Sequence, residues 1–255
     1  ALPILSCSLV QRGALPLLPE AVRTRSALTC GADLVFALPA PCACAGAEAF
    51  ARAGVALLAA AGCDGLVFGA ETPDAALLME AAELLDSGSY RAALKAQLAG
   101  GARSFAAARQ AAAAQLASDE RVAALLDKPN NNLAVEYCRA IRSLAPRMEA
   151  YPLPRQGANH GEALHSAHGQ FASASALRKL WAEGGADAIA PYVPEAVFPL
   201  YQEAYAAGQY TDFSAAGRCE LALLRSACRG KAPFADIRGV SEGLEHQIGR
   251  ASCRE

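Results

Sequence analysis

The sequence predicts an α/β fold: a Rossmann-type parallel sheet with helices on both faces, followed by a partial helical region. Three observations predict it. Short apolar runs without alternation, such as residues 33–38 (DLVFAL) and 65–68 (GLVF), suit parallel strands covered on both faces. Helical stretches of about 10–15 residues separate them, which is the rhythm of βαβ units. Polar islands follow the apolar runs, and in open α/β sheets ligands sit beyond the carboxyl ends of strands.

In chain order, residues 5–10 read as a strand, with a turn at Gln11-Arg12-Gly13. Residues 20–30 fit a helix closed by Gly31, the residue type that most often ends one. The strand at 33–38 is stopped by Pro39 and Pro41. Residues 47–61 form a helix with a small-residue face, ended by Gly62, and 65–68 form the next strand. Helices follow at 74–85, 90–99 and 104–117, with Gly100-Gly101 separating the last two. The Ala-rich part of the third keeps helix propensity. Residues 132–144 form a helix that Asn130 and Asn131 are placed to cap. Residues 148–154 form a strand running into a Pro-bounded loop. Ser173 begins another helix, and residues 214–228 form a further one beyond the edge of the α/β domain.

Composition narrows the function classes. The chain is 53% hydrophobic and 6% aromatic, so its core rests on Ala, Leu and Val. A net charge of −2 gives no support to bulk nucleic-acid binding, although a local basic patch fits it. Nine cysteines occur without a Cys-x-x-Cys pair, so the usual zinc and thioredoxin spacings are absent. The expectation is reduced, mostly buried thiols in a cytoplasmic protein. No apolar run reaches the roughly 18 residues of a membrane span. No Gly-x-x-x-x-Gly-Lys-Ser/Thr loop occurs, which excludes a P-loop NTPase. No Gly-x-Ser-x-Gly elbow occurs either.

The islands carry the chemistry. Ser173 and Ser175 at a helix start, with Arg178 in its first turns, form a phosphate site from free N–H groups, hydroxyls and a guanidinium. The plainer reading is an N-cap and a surface arginine. Gly69 follows a strand, where a missing side chain lets a nucleotide approach the backbone, or simply makes a turn. Asn130 can cap a helix and also bond a nucleotide. Arg155 leaves a strand where it can reach a triphosphate, or stand in solvent. His160, His165 and His168 share one loop in which only Glu162 offers a further ligand, too little for a metal site.

Taken in order, the blocks SLVQRGALPLLPEAVRTRSALTCGADLVFALP, AEAFARAGVALL, FGAE, PNNNLAVEYCRAI, RQGANH, SASALR and SEGLE resemble the bacterial tRNA(Met) cytidine acetate ligases over nearly the whole chain. The resemblance implies a nucleotidyltransferase-like ATP-binding domain at 1–190 and a partial helical RNA-binding region at 191–255. It implies that ATP and acetate form acetyl-adenylate. The acetyl group then passes to the wobble cytidine of elongator tRNA(Met), with Mg²⁺ accompanying the ATP. Residue by residue, it sets ATP contacts on Gly69, Asn130 and Arg155, and it matches Ser173, Ser175 and Arg178 to the family's Ser-Ala-Thr-Ala-Ile-Arg segment. Gln11, Arg12 and Arg23 match further positions of unassigned role. The alternatives are another adenylyltransferase of the same fold, or a non-catalytic nucleotide- or RNA-binding relative. A basic face from Arg218, Arg225, Arg229, Lys231 and Arg238 would favour RNA.

Departures accompany the match. The family's first strand and its His-x-Gly-His loop are expected ahead of residue 5, so the catalytic histidines have no counterpart here. Ala14, Glu20, Ala37 and Cys7 replace family residues. Ala1-Leu2-Pro3-Ile4 and the last eight residues, IGRASCRE (248–255), resemble translated sequencing adapters. The expectation is an internal gene fragment, its native part lying at about 5–247, with little or no activity as written.

Overall fold

A computed structural model describes residues 1–101, 104–155 and 172–229. Its first strand, β1 (Ile4–Ser6), is followed by a 3-10 turn at Gln11–Gly13 and helix α1 (Glu20–Thr29). Strand β2 (Phe36–Leu38) leads into the short α2 (Ala40–Ala43) and into α3 (Ala47–Ala60). Strand β3 (Gly65–Ala70) is followed by α4 (Ala75–Asp86), α5 (Gly88–Ala99), α6 (Phe105–Leu116), α7 (Glu120–Leu125) and α8 (Pro129–Leu144). Strand β4 (Glu149–Pro154) precedes α9 (Ala174–Gly184), a 3-10 turn at Ala186–Tyr192, α10 (Phe198–Ala206) and α11 (Phe213–Arg229).

The strands pair in parallel, as expected, but as two separate pairs among the described residues. β1 pairs with β2, Ile4 opposite Phe36, and β3 pairs with β4, Gly65 opposite Glu149. Between β1 and β3 lies an apolar groove of about 560 Å³ whose walls include Leu2, Ile4, Phe50, Leu58 and Leu66.

Local chemistry explains the element ends. Asp74, Ser87, Ser104 and Asp119 each accept a backbone N–H at the start of α4, α5, α6 and α7, satisfying one of the four donors a helix start leaves free. The expected strand at 5–10 is cut to Ile4–Ser6 because the chain turns there. Cys7 N–H donates to Leu38 O, while the Arg23 guanidinium takes the carbonyls of Ser6 and Cys7. The second strand starts at Phe36, not 33; ahead of it Asp33 N–H donates to Ala1 O. Pro39 and Pro41 do more than stop β2. Pro39 is the N-cap of α2 and Pro41 lies in its first turn, where a missing N–H costs nothing.

The core has two parts. The larger packs Val55, Leu58, Leu66, Phe68, Leu78, Leu125, Val135 and Ile141 around β3 and α8. Phe68 and Tyr137 meet with ring centroids 5.3 Å apart. The smaller joins Leu18 and Val22 of the α1 region to Trp181, Ala186, Ile189 and Ala204. It therefore spans both sides of position 190. β3 is not covered on both faces among the described residues. Leu66, Phe68 and Ala70 point inward, whereas Val67 is 61% exposed, so the strand alternates as one-sided burial requires.

The thiols also differ from expectation. The seven cysteines with described side chains are free, but only Cys138 is buried, and burial pushes its thiol up to about 12. Cys30 and Cys219 are exposed, and Cys30 and Cys44 sit at the C-terminal caps of α1 and α2, outside any packed face. Among the described residues no helix is long and apolar enough to cross a membrane.

Leu78 is fully buried at the centre of the larger cluster. Leu78→Ala strips out most of that side chain and leaves a cavity, and urea denaturation is expected to register a loss of about 2–5 kcal/mol.

Candidate functional site

Two parallel strands end side by side. The N–H of Arg155, one residue past β4, donates to Ala70 O at the end of β3 at 3.0 Å. Glu71 is the residue after β3. The first turn of α8 meets this edge, and its free N–H groups define the geometry.

α8 begins at Pro129, with Lys128 as N-cap and no side-chain cap of its own. Asn130 and Asn131 therefore lie inside the first turn and are not caps, a correction to the expected helix start at 132. The reason is Glu71, which reaches in from another element. Its Oε1 accepts from Asn130 N–H (3.2 Å) and from Asn130 Nδ2 (2.6 Å), and its Oε2 accepts from Asn131 N–H (2.7 Å). A carboxylate on a helix N-terminus satisfies orphan donors and meets the positive end of the dipole. The buried Asn131 completes the tie: its Oδ1 accepts from Thr72 N–H at 2.9 Å, and its Nδ2 donates to Thr72 Oγ1 at 3.1 Å. Burial opposes ionisation of Glu71, but the Asn130 amide and the two backbone N–H groups together outweigh it, holding the carboxyl below its ordinary value.

Arg155 is placed on this frame. Its Nη1 donates to Asn130 Oδ1 at 2.9 Å, and its stem crosses Gly69, with Cγ 3.5 Å from where a Cβ would stand. Among the described residues no carboxylate pairs with Arg155, and both it and Gly69 are exposed. Gly69, Asn130 and Arg155 thus converge at the exits of β3 and β4. They present an uncompensated guanidinium and a bare stretch of backbone, the equipment for an anion with a flat group attached.

The serine segment is built differently. Ser173 caps α9, accepting from Ala176 N–H at 3.2 Å, and its hydroxyl lies 3.0 Å from that of Ser175. The Arg178 guanidinium sits 5.9 Å from the centroid of the Phe213 ring of α11. Among the described residues no hydrogen bond joins Ser173, Ser175 or Arg178 to the Gly69–Asn130–Arg155 group; α9 packs instead on the smaller core cluster. His160, His165 and His168 lie outside the described residues, as do the SEGLE block and the last part of the expected basic face, Lys231 and Arg238.

Two roles are invisible in the sequence. Glu71 stands in the FGAE island, but its partners are 59 and 60 residues away, so only the fold reveals its function. Arg23 donates to Leu18 O (3.0 Å), Ser6 O (2.7 Å) and Cys7 O (2.5 Å). It fastens the end of β1 to the start of α1, a positioning role for a residue of unassigned purpose.

The chain is also similar to known proteins. The family model described as HIGH Nucleotidyl Transferase matches residues 1–254. A tRNA(Met) cytidine acetate ligase of Syntrophotalea carbinolica is 34% identical over 99% of this chain and 59% of its own length. That of Caldanaerobacter subterraneus subsp. tengcongensis is 33% identical over 98% and 61%. The chain therefore spans about 60% of the length of these relatives. Among solved structures, apo Thermotoga maritima TmcAL superposes with a TM-score of 0.87 at 28% identity, covering 100% of this chain and 61% of that one. The same protein bound with alpha-thio ATP gives 0.83 at 27% identity, covering 98% and 59%.

Glu71→Ala leaves the Asn130 and Asn131 N–H groups without their carboxylate and is expected to cost about 1–2 kcal/mol near neutral pH. Because the folded carboxyl titrates below its unfolded value, this contribution is complete above the unfolded value of about 4.3 and is lost as pH falls through the folded one. Melting curves of the two proteins should be separated at pH 7 and converge in acid.

Proposed function

The chain belongs to the HIGH nucleotidyl transferase family, and on that premise we propose that it binds ATP at the exits of β3 and β4 and serves the reaction of a tRNA(Met) cytidine acetate ligase. The observation that carries the proposal is the convergence of Gly69, Asn130 and Arg155 on one edge, with Arg155 free of any described carboxylate. The ligase relatives and the nucleotide-bound neighbour support it.

In this reading a carboxylate oxygen of acetate attacks the α-phosphorus of ATP, the bond to the β-phosphate breaks, and pyrophosphate leaves. The exocyclic amine of the wobble cytidine of elongator tRNA(Met) then attacks the acetyl carbonyl, AMP leaves, and the amine gives up a proton. Gly69 admits the nucleoside against the backbone. Arg155, steered by Asn130, holds phosphate oxygens as charge builds on them. Ser173, Ser175 and Arg178, with the N-terminus of α9, are the second set of phosphate donors. Among the described residues no cluster of three or more His, Cys, Asp or Glu could hold a metal, and Glu71 is occupied by α8. When bound with ATP, Mg²⁺ would offset charge on the phosphate oxygens. Action on tRNA sets the protein in the cytoplasm.

The 255 residues contain no His-x-Gly-His run, the motif the family resemblance assigns to transition-state stabilisation. The proposal for the residues present is accordingly ATP binding.

ATP binding is tested separately by calorimetry. Arg155→Ala removes a charge-assisted phosphate contact and should weaken ATP by about 10- to 100-fold. A Cβ at Gly69 meets only the Arg155 stem, at ordinary contact distance. Gly69→Ala should therefore keep the melting temperature and still lose ATP affinity. Undiminished affinity in both variants sinks the assignment.

A further inference from the structure

Away from the strand exits, a second cavity of about 700 Å³ opens between α3, α5, α6 and α8. Its wall carries Arg52, Arg91, Arg109 and Arg139, one from each of these helices, against the carboxylates of Glu48 and Glu136. None of its lining residues belongs to the Glu71–Asn130–Arg155 cluster.

Glu136 organises two of these arginines. It is 2% exposed and receives Arg109 through Oε1 and Arg139 (2.7 Å) through Oε2. Arg139 Nε also reaches Asp86 Oδ1 at 2.8 Å. These pairs hold two guanidinium groups rigidly at the wall. The other two arginines have neutral partners. Arg52 Nη1 donates to Ser143 Oγ at 3.2 Å, and Arg91 Nη2 donates to the carbonyl of Asp86 at 2.7 Å. With Asp86 counted beside Glu48 and Glu136, four guanidinium groups meet three carboxylates, a surplus of one positive charge. The start of α3 also borders the cavity: Gly46, its N-cap, offers no side-chain acceptor, and Glu48 stands in its first turn. Phe105 stands at the cavity 61% exposed, presenting an aromatic face.

Planar, forked cations with a helix N-terminus recognise phosphate oxygens. An exposed aromatic ring beside them stacks a base. We propose that this cavity seats a nucleotide unit of the RNA substrate, its phosphate on Arg52, Arg91 and the start of α3 and its base on Phe105. The inference rests on the RNA-substrate reading above. It moves part of RNA recognition from the later helices onto the α/β domain.

Fluorescence anisotropy of a transcribed elongator tRNA(Met) with the 255-residue chain tests it, across a salt series. The variant is Arg52→Ala/Arg91→Ala, which leaves the Glu136 ion pairs intact. It should bind at least tenfold more weakly at low salt, with the slope of log affinity against log salt made shallower by about one for each phosphate no longer neutralised. Phe105→Ala should weaken binding with the slope unchanged. ATP affinity and melting temperature should be unaltered in both. Equal tRNA affinity and slope for wild type and the double variant overturn the site while leaving the ligase reading intact. Failure of the wild-type chain to bind tRNA, with ATP binding retained, overturns the site together with the RNA-substrate reading. Binding of AMP or inorganic phosphate by the wild type and not by the double variant, with tRNA affinity equal in both, assigns the cavity to free phosphate compounds and overturns the RNA proposal.

Discussion

One carboxylate on one helix end sets the geometry of the strand exits. Glu71 follows β3, and its oxygens close on the N–H groups of Asn130 and Asn131 at the start of α8. The bond joins the end of a strand to a helix residue 59 positions later in the chain. It orients the Asn130 amide, whose oxygen in turn receives Arg155. Had Asn130 capped its own helix, its side chain would be spent on its own backbone. Because an acid from elsewhere does the capping, the amide is left to steer a cation.

A second ionic centre lies further along the same helix. Glu136 is buried, which is costly for a lone carboxylate. Arg109 and Arg139 neutralise it, and Arg139 bridges on to Asp86. Such a buried cluster is weak evidence of added stability, since desolvation offsets the Coulomb gain. Its effect here is positional. Helices α4, α6 and α8 are held in one register, and two guanidinium groups face a cavity in a set arrangement. α8 therefore organises two places with different electrostatics: an anion on its N-terminus, and a cation-lined wall a few residues on.

The two-part core has a consequence for the serine segment. Trp181 of α9 packs with Ala186, Ile189 and Ala204 and with Leu18 and Val22. It also meets Tyr205 and Tyr210 edge-on, at 5.5 and 5.7 Å. α9 is thereby anchored to α1 and α10, while Gly69 and Arg155 are anchored to the larger cluster. The phosphate donors named from the sequence stand on two different supports. Arg23, which ties the end of β1 to α1, links strand and helix on the second support.

The local alphabet of the chain determined much of this. Apolar runs between helix-forming stretches marked all four described strands, and the longer helices fall within about three residues of their expected bounds. Gly69, Asn130 and Arg155 were legible as candidates because each follows or borders an apolar run. The short α2, α7 and α10 were not, since four to nine residues give too little periodicity to stand out from loops. Tertiary structure alone decided the rest: that Glu71 caps α8, that Arg23 is a brace, that β3 leaves one face open, and that four arginines from four helices share a cavity. Each depends on a partner well beyond the reach of local sequence. Propensity and spacing act over a turn or two of chain, whereas hydrogen bonds and charges act through space.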